Sequence, residues 1–340
     1  MNSHKFAEAR KNFSPTKWSK YVWMFSGAVI LVGIIMFAVL GFNLGMDFTG
    51  GNIIRIQTSA DISQEQYNEI VNTSSQILAE QGLSVAQAQR EGESGNISVS
   101  IQYQNADGVE DMSTINDEIV AALQEAFPQY TIVNAESKSA TASSELLTNA
   151  LLAVVIALIF IMIYIAVRFE FLSGIAALVT LFHDVLIMCA FVVIFQIQVN
   201  STFVAALITI LGYSINNTII IFDRVRENLR KPSLNNLSNR EIADLSVRQT
   251  LNRTLNTSIT TIASVFLLAC VGVPQMTEFV LPILIGLIAG TYASIFISAP
   301  LWTAMMSRSK HGIRQRAIEK EKKAENEQTV VETVATPVEK

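Results

Sequence analysis

Six apolar blocks, each long enough to cross a hydrocarbon core, constrain this chain more than any other feature. They run over Tyr21–Phe42, Leu146–Val167, Leu172–Ile197, Thr202–Phe222, Leu255–Val273 and Phe279–Met306. A spanning helix takes about 20 such residues. Lipid offers no partner to backbone polar groups, so blocks of this length fold as helices. Only 16% of the residues carry charge, few for the surface of a soluble fold. The pattern gives an α-helical membrane protein with six transmembrane helices.

Charge sets the orientation. Residues 1–20 carry Lys5, Arg10, Lys11, Lys17 and Lys20 against Glu8 alone. The block at 21–42 is too long for the apolar core of a signal peptide, and no small-residue cleavage site follows it. It reads as a retained first span with the N-terminus in the cytoplasm. Alternation then places Arg168–Phe171, the loop 223–253 and the C-terminal tail inside. These hold Arg168, seven basic residues from Arg224 to Arg253, and eight from Arg308 to Lys340. The short outer loops, Gln196–Ser201 and Gly272–Glu278, hold none. The positive-inside rule agrees at every short loop. Within 223–253, SNREIADLSVRQTL is expected as a short interfacial helix, with Ser238 as cap and Glu241 completing the box. The tail 307–340 is basic, then Glu-rich, and reads as disordered.

Residues 43–145 are polar and about the size of one small domain. Arg55, Arg90 and Lys138 are the only basic residues in this acidic stretch, which the alternation places outside the cytoplasm. Asn52–Thr58 alternates as a strand, and Ser63–Gln81 has helical spacing. Leu83–Gln89 and Ile97–Tyr103 read as strands around a Gly92–Gly95 turn. Asp111–Phe127 is helical, and Tyr130–Val133 reads as a short last strand. The order βαββαβ predicts an extracytoplasmic α+β domain of ferredoxin-like type between the first and second spans. Residues 146–306 then form a five-helix transmembrane bundle.

Few residues inside the spans can carry chemistry. Asn216 and Asn217 interrupt the apolar run of LGYSINNTIIIFDRVREN, which ends in Asp223, Arg224, Arg226 and Glu227. Polar side chains at that depth face a bundle interior or a hydrated path, or else hold neighbouring helices together by hydrogen bonding. His183 and Asp184 fall about halfway along the third span, where a charged group needs a partner or a wet cavity; alternatively they lie at an interfacial kink and pair with each other. Arg253 stands at the cytoplasmic mouth of the fifth span, either snorkelling to the interface or partnering the polar residues of the fourth. Gly286 and Gly290 form a GxxxG pair that signals close helix packing. Gly45–Gly51, GMDFTGG, marks a tight backbone path where the first span meets the polar domain.

Cys189 and Cys270 lie within spans, so neither a disulfide framework nor a cysteine zinc site is on offer. No GxxxxGK loop, nucleophile elbow or metal-ligand cluster occurs. No cofactor, metal or enzymatic activity is expected. Work done by such a chain would draw on an ion gradient or a partner.

MDFTGG, YIAVRFEF, LFHDVLI, GYSINNTIIIFDRVREN and QTLNRTLNTSITT occur in that order from Met46 to Thr261. With the six-span plan, they make the chain similar to the SecD/SecF family of bacterial protein-export membrane subunits, and within it to the smaller, SecF-type subunit. The resemblance implies a half-transporter of the resistance–nodulation–division superfamily in the cytoplasmic membrane. It implies pairing with SecD beside the SecYEG channel, contact with translocating preprotein and lipid, and no role for nucleic acid. It implies that the proton or sodium motive force drives the late, ATP-independent stage of export. It assigns ion coupling to Arg253 and to the intramembrane polar residues Asn216, Asn217, His183 and Asp184. Asp47, Gly50, Gly51, Asp223 and Arg224 fall in its conformational motifs. The family's fourth-span motif usually carries an aspartate where this chain has Asn217. An amide coordinates a cation or donates a hydrogen bond but carries no proton, so either SecD supplies the titrating carboxylate or the coupling ion is sodium. The competing classes are a small-molecule or lipid exporter of the same superfamily and a non-motor scaffold for the channel.

Overall fold

The computed structural model describes residues 13–58, 62–91, 97–103, 113–138, 140–270 and 274–308. The first twelve residues, the Gly92–Gly95 turn, the last three residues of the fifth expected span and nearly all of the expected disordered tail lie outside them. A helix α1 (Pro15–Leu40) leads through one short helical turn, α2 (Met46–Thr49), into a sheet domain. That domain runs β1 (Gly51–Thr58), α3 (Gln64–Glu80), β2 (Val85–Glu91), β3 (Ile97–Tyr103), α4 (Ser113–Ala126) and β4 (Thr131–Lys138). Its strand order is β2-β3-β1-β4, and every neighbouring pair is antiparallel. Long helices follow: α5 (Ala140–Arg168), α6 (Phe171–Ile194), α7 (Ser201–Leu229), α8 (Asn239–Cys270), α9 (Pro274–Ala293) and α10 (Ala299–Arg308). A π-turn at Ser294–Ser298 joins the last two into one rod.

The sheet domain closes because one face of the sheet and one stripe of each helix are apolar. Ile54, Ile56, Val99 and Ile101 from the central strands meet Ile70 and Leu78 of α3 and Ile119 and Leu123 of α4. Ser63 caps α3 with the full reciprocal box to Gln66. One polar group is built into this core. The Tyr103 hydroxyl donates to Asn116 Oδ1 at 2.6 Å, and Asn116 Nδ2 donates to Asn52 Oδ1 at 3.0 Å, all three residues buried. Burial pushes the Tyr103 pKa far up, so the hydroxyl keeps its proton. Tyr103→Phe leaves a buried acceptor unpaired and should cost about 1–3 kcal/mol. Faster amide hydrogen exchange confined to the sheet domain of the solubilised chain would show it.

Among the described residues five helices are long and apolar enough to cross a membrane: α1, α5, α6, α7 and the rod made by α9 and α10. α6 and the rod lie inside the bundle, whereas α1 and α5 keep most of their surface outward. The fifth expected span falls in α8 and is not among the five. Its Thr, Ser and Asn residues dilute its apolar character, although the helix itself is continuous.

The loop expected at 223–253 is corrected. α7 runs on to Leu229 and α8 begins at Asn239, so only a short connection separates them. Polarity ends an apolar span without ending a helix: no Gly or Pro interrupts 239–270, and side chains tie the two extensions together. The capping box at Ser238 is present. Its hydroxyl accepts from Glu241 N at 3.3 Å, and the Glu241 carboxylate accepts from Ser238 N at 2.7 Å. It opens the long α8 and no separate interfacial helix. α8 also caps α1: Asp244 accepts from Thr16 N at 3.0 Å, from Thr16 Oγ1 at 2.9 Å and from the Ser14 hydroxyl.

Candidate functional site

Asp184 sits in the middle of α6 with no exposed surface, and His183 beside it is 4% exposed. The His183 Nδ1 to Asp184 Oδ1 distance is 2.9 Å, and the Ser214 hydroxyl of α7 donates to the other carboxylate oxygen. On the far side of the imidazole, Nε2 lies 3.4 Å from the Tyr292 hydroxyl of α9. That hydroxyl is 3.1 Å from Ser26 Oγ of α1. Trp23 of α1 closes over the imidazole with its ring centroid 6.1 Å away. One polar chain therefore runs α7, α6, α9, α1. Each hydroxyl in it can donate or accept, and the imidazole can do both at once. Such a chain can relay a proton by exchanging roles along its length. A buried carboxylate in a span is costly unless satisfied, and both oxygens of Asp184 are.

A second polar group adjoins the first. Asn217 is 9% exposed, and its Nδ2 donates to Ser258 Oγ of α8 at 3.2 Å. With Ser214, Asn216, Thr257 and Thr261 these residues line a cavity of ≈ 50 Å³ between α7, α8 and α9. The glycine pair of α9 lets that helix close on α7. A Cβ at Gly286 would meet Ile210 side-chain atoms at 2.7 Å, and one at Gly290 would meet Ser214 Cα at 3.3 Å.

Both ends of α7 are tied down. At its start Asp47 accepts from Ser201 N at 2.9 Å and from the Ser201 hydroxyl. Gly50 and Gly51 follow at φ 72° and 135°, a backbone region that side-chain-bearing residues avoid, and they turn the chain into β1. Beside them Glu278 of α9 accepts from Gln89 of β2 and from Asn200, the cap of α7, both at 2.8 Å. The sheet domain thus rests on the helix ends through side-chain amides. At the other end of α7, Asp223 pairs with Arg168 at 2.8 Å and Arg224 Nε donates to Gln249 Oε1 at 2.7 Å. Buried Asn228 donates to Ser246 at 2.9 Å and to Gln249 at 2.7 Å.

Residues 118–308 match the family model of the protein export membrane protein SecD/SecF, C-terminal, and residues 35–62 match the SecD/SecF GG motif. The chain belongs to the SecD/SecF family. The protein translocase subunit SecF of Sebaldella termitidis is 34% identical over 304 residues, 88% of this chain and 95% of that protein. The SecDF subunit of Bacillus subtilis is 36% identical over 296 residues, 86% of this chain but 38% of that protein. Among solved structures, a translocon-associated SecDF from Thermus superposes with a TM-score of 0.70 at 28% identity, over 87% of this chain and 39% of that one. SecDF in a super-membrane-facing form gives 0.63 at 27% identity, over 91% and 40%. The chain thus spans about two fifths of its SecDF relatives and nearly all of its SecF relative.

The SecD/SecF C-terminal match covers Ser214, Asp184, His183 and Tyr292 of the polar chain but not Ser26, and the GG match contains Asp47, Gly50 and Gly51. Of the residues singled out in the sequence, the fold holds His183 and Asp184 paired with each other in the middle of the continuous helix α6. Asn216 and Asn217 share one cavity. Arg253 stands apart. It is exposed on α8, and among the described residues its guanidinium makes no hydrogen bond to Asn216 or Asn217 and no ion pair. Ser214, Tyr292, Ser26, Ser258, Glu278 and Asn228 went unmarked. A serine or tyrosine in an apolar run is ordinary, and only a neighbour from another helix makes it part of a site.

Proposed function

We propose that this SecD/SecF chain is the SecF-type half of a two-part membrane motor. With a SecD-type half it uses the proton or sodium gradient to promote the late stages of preprotein translocation through the SecYEG channel. The observation that carries this is the buried His183–Asp184 pair with its hydroxyl partners on α7, α9 and α1. A charged group that binds or releases an ion there changes its bonds to α7 and α9 and, through Tyr292, the bond to α1, which is how a local event becomes a two-state movement.

In this reading α8 is the fifth of six spans, both termini are cytoplasmic and the ferredoxin-like domain is outside. The outward faces of α1 and α5 and the polar face of α8, with Arg253, Asn256 and Thr260 exposed, suit a second half packed against them. The SecDF relatives, which are more than twice as long as the matched region, fit that arrangement. Pulse-chase of a secreted precursor in cells depleted of the chain tests it. Wild type should restore precursor clearance, and Arg253→Ala should leave it several-fold slower with the protein still in the membrane. Normal clearance on depletion, with altered sensitivity to toxic compounds or lipids, would favour an exporter. Clearance that ignores loss of the gradient would favour a scaffold.

A further inference from the structure

We propose that the sheet domain is hinged to the helices along one side and latched to them along the other, with Glu278 as the catch. The strand order is β2-β3-β1-β4. β1 joins the bundle through Gly50 and Gly51, at φ 72° and 135°, and β4 runs almost directly into α5. Both covalent ties therefore lie on the β1–β4 side, and glycine leaves the first of them free to rotate. β2 lies at the opposite edge. Its Gln89 stands in register with Ser100, and side chains alternate across a strand. Both therefore point away from the face on which Val99 and Ile101 meet α3 and α4. From that helix-free face Gln89 Nε2 donates to Glu278 Oε1 at 2.8 Å, and Gln102 of β3 accepts from Gln198 Nε2 at 3.4 Å. Among the described residues, the apolar cluster of the sheet domain shares no member with those of the bundle. Lifting β2 off the helix ends thus exchanges amide bonds for water, at small net cost, and opens no core.

The surroundings of Glu278 suit it to this role. The Asn200 amide is fixed end for end, because its Oδ1 accepts from Phe203 N at 3.1 Å as the cap of α7. Its Nδ2 is left to donate to Glu278 Oε2. With Gln89 on the other oxygen, two amide donors converge on one side chain, and a carboxylate answers both. The Asn200 bond stays within the bundle, whereas the Gln89 bond crosses to the domain. Pro282 stands one turn further along α9 and has no N–H for the Glu278 carbonyl. The turn that carries Glu278 is therefore the part of α9 most free to tilt. Beyond it α9 packs on α7 through Gly286 and Gly290. Tyr292, which faces His183, lies about 21 Å along the helix from Glu278. The latch deepens the motor reading and rests on it: a shift of α9 at the buried pair draws Glu278 from Gln89, and the domain tips about its β1–β4 side.

Spin labels test this in vesicles holding the full chain with its partner half. Cys189→Ala and Cys270→Ala clear the background, and labels go on Ser84→Cys beside β2 and Glu145→Cys on α5, both exposed. The resting chain should show one main distance. Glu278→Ala and Gln89→Ala remove the catch from opposite sides. Each should raise the population at one shared second distance several-fold, and the double variant should add nothing further. Glu278→Gln keeps one oxygen and should fall between. Variants that hold the resting distance, or scatter it without a shared second value, overturn the latch. A short bismaleimide joining Gln102→Cys to Gln198→Cys, with Glu278 intact, should slow gradient-driven export several-fold relative to the same chain unbridged. Undiminished export from the bridged chain overturns the tipping. A shared second distance in vesicles whose export ignores every gradient keeps the latch and overturns the motor. Gradient-driven export with the distance unmoved by Glu278→Ala does the reverse.

Discussion

Asp184→Asn should leave the protein folded in the membrane and remove the effect of the ion gradient on export. The substitution keeps the size of the side chain and a carbonyl oxygen that can accept from Ser214 or His183. It removes the charge through which, on the proposed ion-driven reading, the site answers an ion. In vesicles the ratio of energised to unenergised translocation, which the proposed motor should raise several-fold in wild type, should fall to about one. Asp184→Leu should behave differently. It strips His183 and Ser214 of their partner, and breaking a buried pair from one side costs about 3–5 kcal/mol. Loss of the leucine variant from the membrane beside normal levels of the asparagine variant would mark the carboxylate's charge as the functional element. An asparagine variant that answers the gradient as wild type does would move the coupling group elsewhere.

Gly33→Leu should detach the first helix. A Cβ at Gly33 would lie 2.4 Å from Ala190 Cβ and 2.7 Å from Ala190 Cα, and backbone cannot yield as a long side chain can. Overpacking of this kind costs about 1–3 kcal/mol even where neighbours can shift. Here α1 must lift from α6, and Ser26 and Trp23 leave Tyr292 and His183 with it. Protease cleavage within α1 and a several-fold drop in membrane-resident protein are the expected results. A variant as protease-resistant as wild type would mean that α1 is held by its ends alone.

Period and punctuation made the sheet domain legible. β3 occupies the stretch its alternation indicates, and β1 and α3 begin within a residue or two of theirs. β4 is longer than Tyr130–Val133 because Asn134, Glu136 and Ser137 pair with β1 although their polarity hides the strand. The same blindness hid the continuation of α7 and α8 beyond their apolar blocks, where Asn228, Ser246 and Gln249 add amide and hydroxyl bonds to the packing of Val225, Ala243 and Val247. At the candidate site, charge in an apolar run pointed to His183 and Asp184. Nothing local could select Tyr292 or Ser26, which belong to the polar chain through partners 109 and 266 residues distant in sequence.

Asp244 gives the first helix a history as well as a cap. The amide of Thr16 waits for an acceptor 228 residues further along the chain. At ordinary rates of synthesis, about 5–20 residues per second, that is a delay on the order of tens of seconds. α1 therefore enters the bilayer with its opening turn bonded to water and headgroups. Its final seating comes only after α8 has been made, so a helix made well before α8 is locked no earlier than α8.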